Sequence, residues 1–213
     1  MKNPLWYYKN NIMSTVILTQ LMQKYNVKKL VFSSSATVNG LTNKVPISED
    51  PPLNARNPYG RTKLFIEEML QVLYSADPDW RITILRYFNT IDAHESGKIG
   101  EDPQGIPTNL MPYITKVVVG KLEVLNVYGN CYPTVDGTGV RDYIHVVDLA
   151  IGHIKALEKI SNQLGISTYN LGTGKGCSVL ELVSAFESVT GINIQYQITQ
   201  PRPGDLAICY ADP

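Results

Sequence analysis

Two short apolar runs separated by an amphipathic stretch constrain this chain more than any other feature. The first runs from Lys29 to Phe32 and ends in Ser33-Ser34-Ser35; the second is RITILRYF, Arg81 to Phe88. Runs this short and this continuously apolar suit strands buried on both faces, as a parallel sheet requires. Between them, residues 59–74 carry Leu64, Ile66, Met69, Leu70 and Leu73 at helical spacing, and Asp77-Pro78 ends the stretch. Upstream, residues 7–25 set Ile12, Val16, Leu18, Leu21 and Met22 near one helical face. This alternation predicts an α/β fold on a doubly wound parallel sheet. It continues with helices over 109–119, 147–157 and 178–190 and strands over 125–128, 140–145, 169–172 and 195–199. Ser178 with Glu181 three residues on reads as a capping box at the last helix. Residues 40–57 and 89–107 read as loops, and one as long as the second is more often functional than idle.

With 213 residues, 44% of them hydrophobic, the chain can bury one sizeable core, so it reads as one domain or one and a fraction. The formal net charge is 0 and no Lys/Arg run stands out, which removes the electrostatic footprint of a nucleic-acid binder. No apolar run approaches a membrane span and no signal-peptide pattern opens the sequence. Cys131, Cys177 and Cys209 are odd in number and far apart, without metal-ligand spacing and against a disulfide framework. The expectation is a cytoplasmic enzyme without a metal, a membrane partner or a nucleic-acid partner.

Chemistry enters with Tyr59-Gly60-Arg61-Thr62-Lys63, just behind Asn57-Pro58. Four residues are about one helical turn, so Tyr59 and Lys63 share a face. A phenol of pKa about 10 is a poor base at neutral pH. A neighbouring ammonium favours the phenolate, making the pair an acid/base device for a substrate hydroxyl. Spacing alone is weak, because most such pairs are a packed ring beside a solvated amine. Ser35 at the end of one expected strand and Asn89 at the end of the next strengthen it, because active groups gather at the carboxyl ends of parallel strands.

These residues sit in longer blocks: SSSATV (33–38), NPYGRTK (57–63), LRYFN (85–89), AHESGKIGEDPQGIP (93–107), VRDYIHVVDLA (140–150), YNLGTGKG (169–176) and PRPGD (201–205). Together they resemble the UDP-glucose 4-epimerase family of the extended short-chain dehydrogenase/reductase class. The resemblance runs over essentially the whole chain. It implies NAD as cofactor, UDP-glucose and UDP-galactose as substrates, and a homodimer paired through helices matching residues 10–25 and 59–74. It implies that NAD takes a hydride from the sugar C4 while Tyr59 takes the 4-hydroxyl proton, and that the hydride returns to the opposite face. Lys63 would hold the nicotinamide ribose and, with the positive nicotinamide, depress the Tyr59 pKa, and Ser35 would bridge the sugar hydroxyl and Tyr59. Asn10 and Phe88 match cofactor contacts. Asn89, Asn109 and Leu110 match residues near the diphosphate and sugar; Asn126, Val127 and Tyr128 match the segment along the uracil. Arg141 and Arg202 match diphosphate ligands, Asp205 a ribose contact, and Cys209 a position of variable bulk at the sugar pocket. A small side chain there extends the expectation to UDP-N-acetylhexosamines.

The resemblance also divides the chain. Residues 1–90 correspond to the later part of an NAD-binding Rossmann-like domain with the catalytic residues. Residues 91–213 correspond mainly to a smaller substrate-binding α/β region, with 140–176 returning to the first. The family's glycine-rich pyrophosphate turn has no counterpart before Met1, and Gly172-x-Gly174-x-Gly176 lies too late for it. The expectation is therefore a piece lacking that turn and a short C-terminal part. Its serine strand would form a bare edge, and alone it would neither retain NAD nor epimerise. Asn39 replaces a family tyrosine, Thr90-Ile91-Asp92 a Pro-x-Gly, and Thr108 an asparagine; an Asp92 carboxylate near a diphosphate would repel it. A nucleotide-sugar dehydratase or decarboxylase is disfavoured because Ala36-Thr37 follow Ser35 where an acid/base pair is needed. A non-catalytic UDP-sugar-binding or dimerising remnant is the reading from another class.

Overall fold

A computed structural model describes residues 3–40, 44–50 and 52–213. Residues 41–43 and 51, inside the loop expected over 40–57, lie outside the described residues. The chain opens with α1 (Pro4–Tyr7), which runs through a π-helical segment (Tyr8–Met13) into α2 (Ser14–Lys24). This expected helix buries less than its pattern implies. Ile12 and Met22 pack inward, while Ile17, Leu18 and Leu21 stay about half exposed.

The central sheet has strands β1 (Lys29–Ser35), β2 (Arg81–Tyr87) and β6 (Gly165–Leu171), all parallel, in the order β1-β2-β6. β2 is buried over its five inner residues, as its apolar run predicts. β1 is not: Leu30, Val31 and Phe32 are only partly covered, because among the described residues β1 is an edge strand with a partner on one side. Helix α3 (Pro58–Ala76) packs Ile66 and Leu70 on the face formed by Ile82 and Ile84, with Trp80 in the same cluster. Helix α5 (Val146–Asn162) lies on the other face. There Tyr87 meets His153, and Arg81 donates to the Ser161 carbonyl at 2.8 Å. Helices on both faces make the sheet doubly wound. Helix α5 is longer than expected.

A second sheet holds β3 (Asn89–Ile91), β5 (Val140–His145), β7 (Gly176–Ser178) and β9 (Ile208–Cys209), with β5 paired to all three others. Strands β7 and β9 were not expected, and β3 replaces the start of the loop expected over 89–107. Strands β4 (Leu125–Tyr128) and β8 (Tyr196–Thr199) pair in parallel beside α4 (Leu110–Val118) and α6 (Val179–Thr190). These two helices close an apolar cluster around Ile114, Leu125, Val127 and Val183. Ser178 caps α6 with Glu181 in the expected reciprocal box.

One ion pair joins three elements of the first sheet. Arg86 on β2 donates to Glu67 on α3 from Nε and Nη2, the latter at 2.7 Å; both side chains are at most 4% exposed. Glu67 also accepts the Ser34 hydroxyl from β1. Removing one partner strands the other charge in the interior, which costs about 3–5 kcal/mol, whereas replacing both with apolar groups costs much less. Urea unfolding should therefore show Arg86→Met and Glu67→Met each losing about 3–5 kcal/mol and the double variant losing less than either. A double variant that loses the sum of the two would sink this account.

Candidate active site

Asn57 sets the start of α3. It is the N-cap, its side chain accepting from Gly60 N at 2.7 Å, and Pro58 fills the first turn. Gly60 lets this helix end approach the turn after β1: a Cβ there would meet the Thr37 carbonyl oxygen at 2.9 Å. The result brings Tyr59 against Ser35 at the carboxyl end of β1, where the Ser35 hydroxyl favours the ionised phenol. Tyr7 stacks edge-on to Tyr59 with centroids 6.1 Å apart, and Asn11 donates to Thr62 at 2.8 Å, so the π-helical segment is locked to α3.

Lys63 lies one turn on. Its ammonium donates to the Ser33 carbonyl at 2.7 Å and stands 5.7 Å from the Tyr59 ring centroid. Burial lowers the Lys63 pKa. The Tyr59 phenol moves upward, chiefly through burial, with the Ser35 hydrogen bond acting the other way. Among the chain's own groups desolvation dominates the phenol while the Lys63 ammonium is engaged with a carbonyl, and the expected depression calls for the positive nicotinamide as well as Lys63.

Two cavities open from this point and share a wall. The larger, about 750 Å³, is lined by Ser35, Tyr59, Phe88 and Cys209, with Tyr7, Arg56 and Tyr87. The smaller, about 340 Å³, is lined by Leu110, Asn126, Val127 and Tyr128, with Tyr113, Tyr132 and Tyr143. Asn89, Thr108, Asn109, Arg141, Arg202 and Asp205 line both. Asn10 and Lys63 line neither. Asn10 is exposed on the π-helical segment, and Lys63 sits behind Tyr59 against β1.

Several lining groups are already engaged. Arg202 donates to Asp205 at 2.8 Å and covers the Tyr128 ring at 4.8 Å from its centroid. The Asn126 side chain gives to Tyr113 at 3.0 Å and takes from Gln197 at 2.7 Å. Strand β4 pairs with β8 on one side, no other strand pairs with it among the described residues, and its Asn126, Val127 and Tyr128 line the smaller cavity. Burial pushes the Tyr143 phenol up to about 12. Tyr143 was missed in the sequence, yet it stands two residues from Arg141 on a strand and so shares its face. Tyr113, one helical turn past Asn109, was legible in the same way.

Asp92 corrects another expectation. It lines neither cavity; its carboxylate faces His145 Nε2 at 3.4 Å and accepts from Ala93 N at 2.8 Å. Its φ of 76° explains why glycine suits the position. Asn39 is buried, donates to the Ala36 carbonyl at 3.1 Å and leaves Oδ1 without a partner among the described residues.

The glycine cluster after β6 does not offer amides to a phosphate. Asp142, fully buried, takes Thr173 N and Oγ1 at 2.8 Å, Gly174 N at 3.0 Å and Ala211 N at 3.0 Å. Gly172 is needed because a Cβ would come within 2.5 Å of that carboxylate. Among the described residues no group of three or more His, Cys, Asp and Glu is disposed to hold a metal, and no helix is long and apolar enough to cross a membrane.

The model of the NAD-dependent epimerase/dehydratase family matches residues 1–172. The chain belongs to that family. It is 62% identical over 210 residues to the UDP-glucose 4-epimerase of Bacillus subtilis, covering 99% of this chain and 62% of that protein. The Dictyostelium discoideum UDP-glucose 4-epimerase is 58% identical, with 100% and 62% covered. Among solved structures, the Bifidobacterium longum UDP-glucose 4-epimerase in complex with NAD+ and UDP superposes with a TM-score of 0.94 at 55% identity, over 98% of this chain and 62% of that one. The Stenotrophomonas maltophila enzyme with bound NAD and formylated UDP-arabinopyranose gives 0.95 at 49% identity, with the same coverage. The chain thus spans somewhat under two thirds of the length of these relatives, and the Rossmann-like α/β fold is theirs.

A phenol raised by burial carries a readable signature. The folded pKa of Tyr59 lies above its unfolded value of about 10, so its contribution to stability is complete below pH 10 and is lost as pH rises through the folded value. Carbon-13 NMR of the tyrosine ring carbons should show, beside the raised midpoints of Tyr143 and Tyr87, a further midpoint above 10 that vanishes in Tyr59→Phe. A Tyr59 midpoint below 10 in the chain without added ligands would contradict the burial argument.

Proposed function

We propose that this chain is the catalytic and substrate-binding portion of a UDP-glucose 4-epimerase, which interconverts UDP-glucose and UDP-galactose at the sugar C4 with NAD. The observation that carries this reading is the shared wall of the two cavities: Arg141, Arg202 and Asn109 stand between the Tyr59–Ser35 end and the β4 edge. A diphosphate at the shared wall would set a sugar beside Tyr59 and a base along β4. The names of the relatives support the same substrates.

The residues at the nicotinamide end suit the cofactor. Lys63 and Tyr59 present an ammonium and a hydroxyl on one helical face, with Phe88 on the neighbouring strand end and Asn10 on the adjoining segment. NAD would be held by Lys63, Tyr59, Phe88 and Asn10 and would supply the hydride acceptor and donor for the sugar C4. Tyr59 Oη takes and returns the 4-hydroxyl proton, relayed through the Ser35 hydroxyl. Since burial holds the phenol protonated, Tyr59 needs positive charge beside it to act as a base, and Lys63 is the chain's own source. Arg141 and Arg202 hold the diphosphate with fork geometry, Arg202 exchanging Asp205 for phosphate while Asp205 turns to a ribose hydroxyl. The main chain of Asn126 and Tyr128 meets the base, because the Asn126 side chain is occupied. Cys209 leaves room for an N-acetyl group, extending the substrates to UDP-N-acetylhexosamines.

We assign residues 1–90 to the cofactor side and 91–213 mainly to the substrate side, with 140–176 returning to the first. The chain is expected to bind UDP-sugars. Calorimetry should show UDP binding that falls at least tenfold in Arg141→Ala and in Arg202→Ala, about 1.4 kcal/mol. Absence of UDP binding would overturn the substrate assignment.

A homodimer through α1, α2 and α3 accounts for the apolar side chains left on those helices: Leu5, Trp6, Ile17, Phe65 and Val72 are each more than half exposed. Light scattering should give twice the chain mass, falling to one chain in Phe65→Glu. A monomeric wild type would remove the proposed interface.

A further inference from the structure

The Cys209 wall of the larger cavity belongs to a different element from the wall carrying Ser35 and Phe88. It is the two-residue strand β9 continuing into Tyr210–Asp212, a short strap across the site. Segment 47–49 holds it. Ile47 N donates to the Tyr210 carbonyl and Asp212 N to the Ile47 carbonyl, both at 2.9 Å. The Ile47 carbonyl also accepts Asn170 Nδ2 at 2.8 Å, and Asn170 N donates to Glu49 Oε1 at 2.8 Å. The Glu49 carbonyl takes Arg86 Nη1 at 2.8 Å. Arg86 closes on Glu67, which holds Ser34 beside Ser35. A single polar path thus runs beneath the cavity from one wall to the other. Ile47, Phe88 and Ala211 pack along it, with Ala36 and Cys209 against them.

We propose that Asn170 and Glu49 are positioning residues that fix the spacing between the Cys209 wall and the Phe88–Ser35 wall, and so set the bulk admitted at the sugar's C2 substituent. The inference rests on the UDP-hexose reading of the site. Neither residue lines a cavity, so any effect on selectivity passes through the strap. Asn170 is 5% exposed and its Oδ1 has no partner among the described residues, so truncation removes one donor to Ile47 and leaves the strap's backbone bonds in place. One hydrogen bond lost from a clamp of this kind loosens it by about fivefold in an equilibrium constant.

The test is calorimetry of UDP, UDP-glucose and UDP-N-acetylglucosamine on the wild-type chain, Asn170→Ala and Glu49→Ala. The expected result is UDP affinity unchanged within twofold, with relative affinity for the N-acetyl sugar over UDP-glucose rising about fivefold in the variants. Glu49→Ala carries the test if Asn170→Ala fails to fold. Folded variants with an unchanged ratio, or with all three ligands weakened together, overturn the proposal. Wild-type chain that binds UDP but neither sugar nucleotide overturns it too. If even UDP fails to bind, the functional reading falls and this inference with it.

Discussion

Two opposite charges taken out of water hold this fold together where it matters for the site. Glu67 and Arg86 gain their pairing only if the geometry is good and the remaining donors and acceptors are filled. Here they are filled: Arg86 spends its third nitrogen on the Glu49 carbonyl, and Glu67 takes the Ser34 hydroxyl. Helix α3, the end of β1, strand β2 and segment 47–49 are therefore bound to one point. Tyr59 rides on the first, Ser35 follows directly from the second and Phe88 from the third, so the spacing of the site's residues is tied to that pair.

Strand β5 does the corresponding work for the second sheet through its period of two. Arg141 and Tyr143 face the cavities while Asp142, between them, faces inward. Its carboxylate has no cation and instead takes backbone amides from the glycine turn and from Ala211. That choice explains two features at once. The glycine turn is structural because its amides are occupied, and the strap bearing Cys209 is anchored from both Asp142 and Ile47.

Legibility in the sequence followed the length of the pattern. Strand β2 and helix α3 were clear because an unbroken apolar run and a helical period each span several residues. Strands β3, β7 and β9 were not, since two or three residues carry no period and pair only because β5 is already there. Of the site residues the resemblance implied, all but Asn10 and Lys63 line one or both cavities, although other lining residues such as Tyr113 and Tyr143 went unnamed. What the blocks did not reveal was direction. Asp92 looked like a carboxylate aimed at phosphate, and only its positive φ and its approach to His145 turn it away. The buried face of β1 was overread for a similar reason: an apolar run reports what a strand can bury, whereas neighbours decide what it does bury.

The electrostatics of Tyr59 draw these threads together. Burial makes the phenol a weaker acid, and the nearest ammonium is spent on the Ser33 carbonyl at 2.7 Å. A tyrosine so placed is a proton donor by default. A cation set against its ring or its hydroxyl reverses that default, and the low dielectric that raises the pKa also strengthens the cation's pull. The same desolvation that raises the Tyr59 pKa therefore makes the phenol responsive once positive charge arrives. Acid/base action at this site is conditional on what binds beside it rather than fixed by the Tyr59–Lys63 spacing.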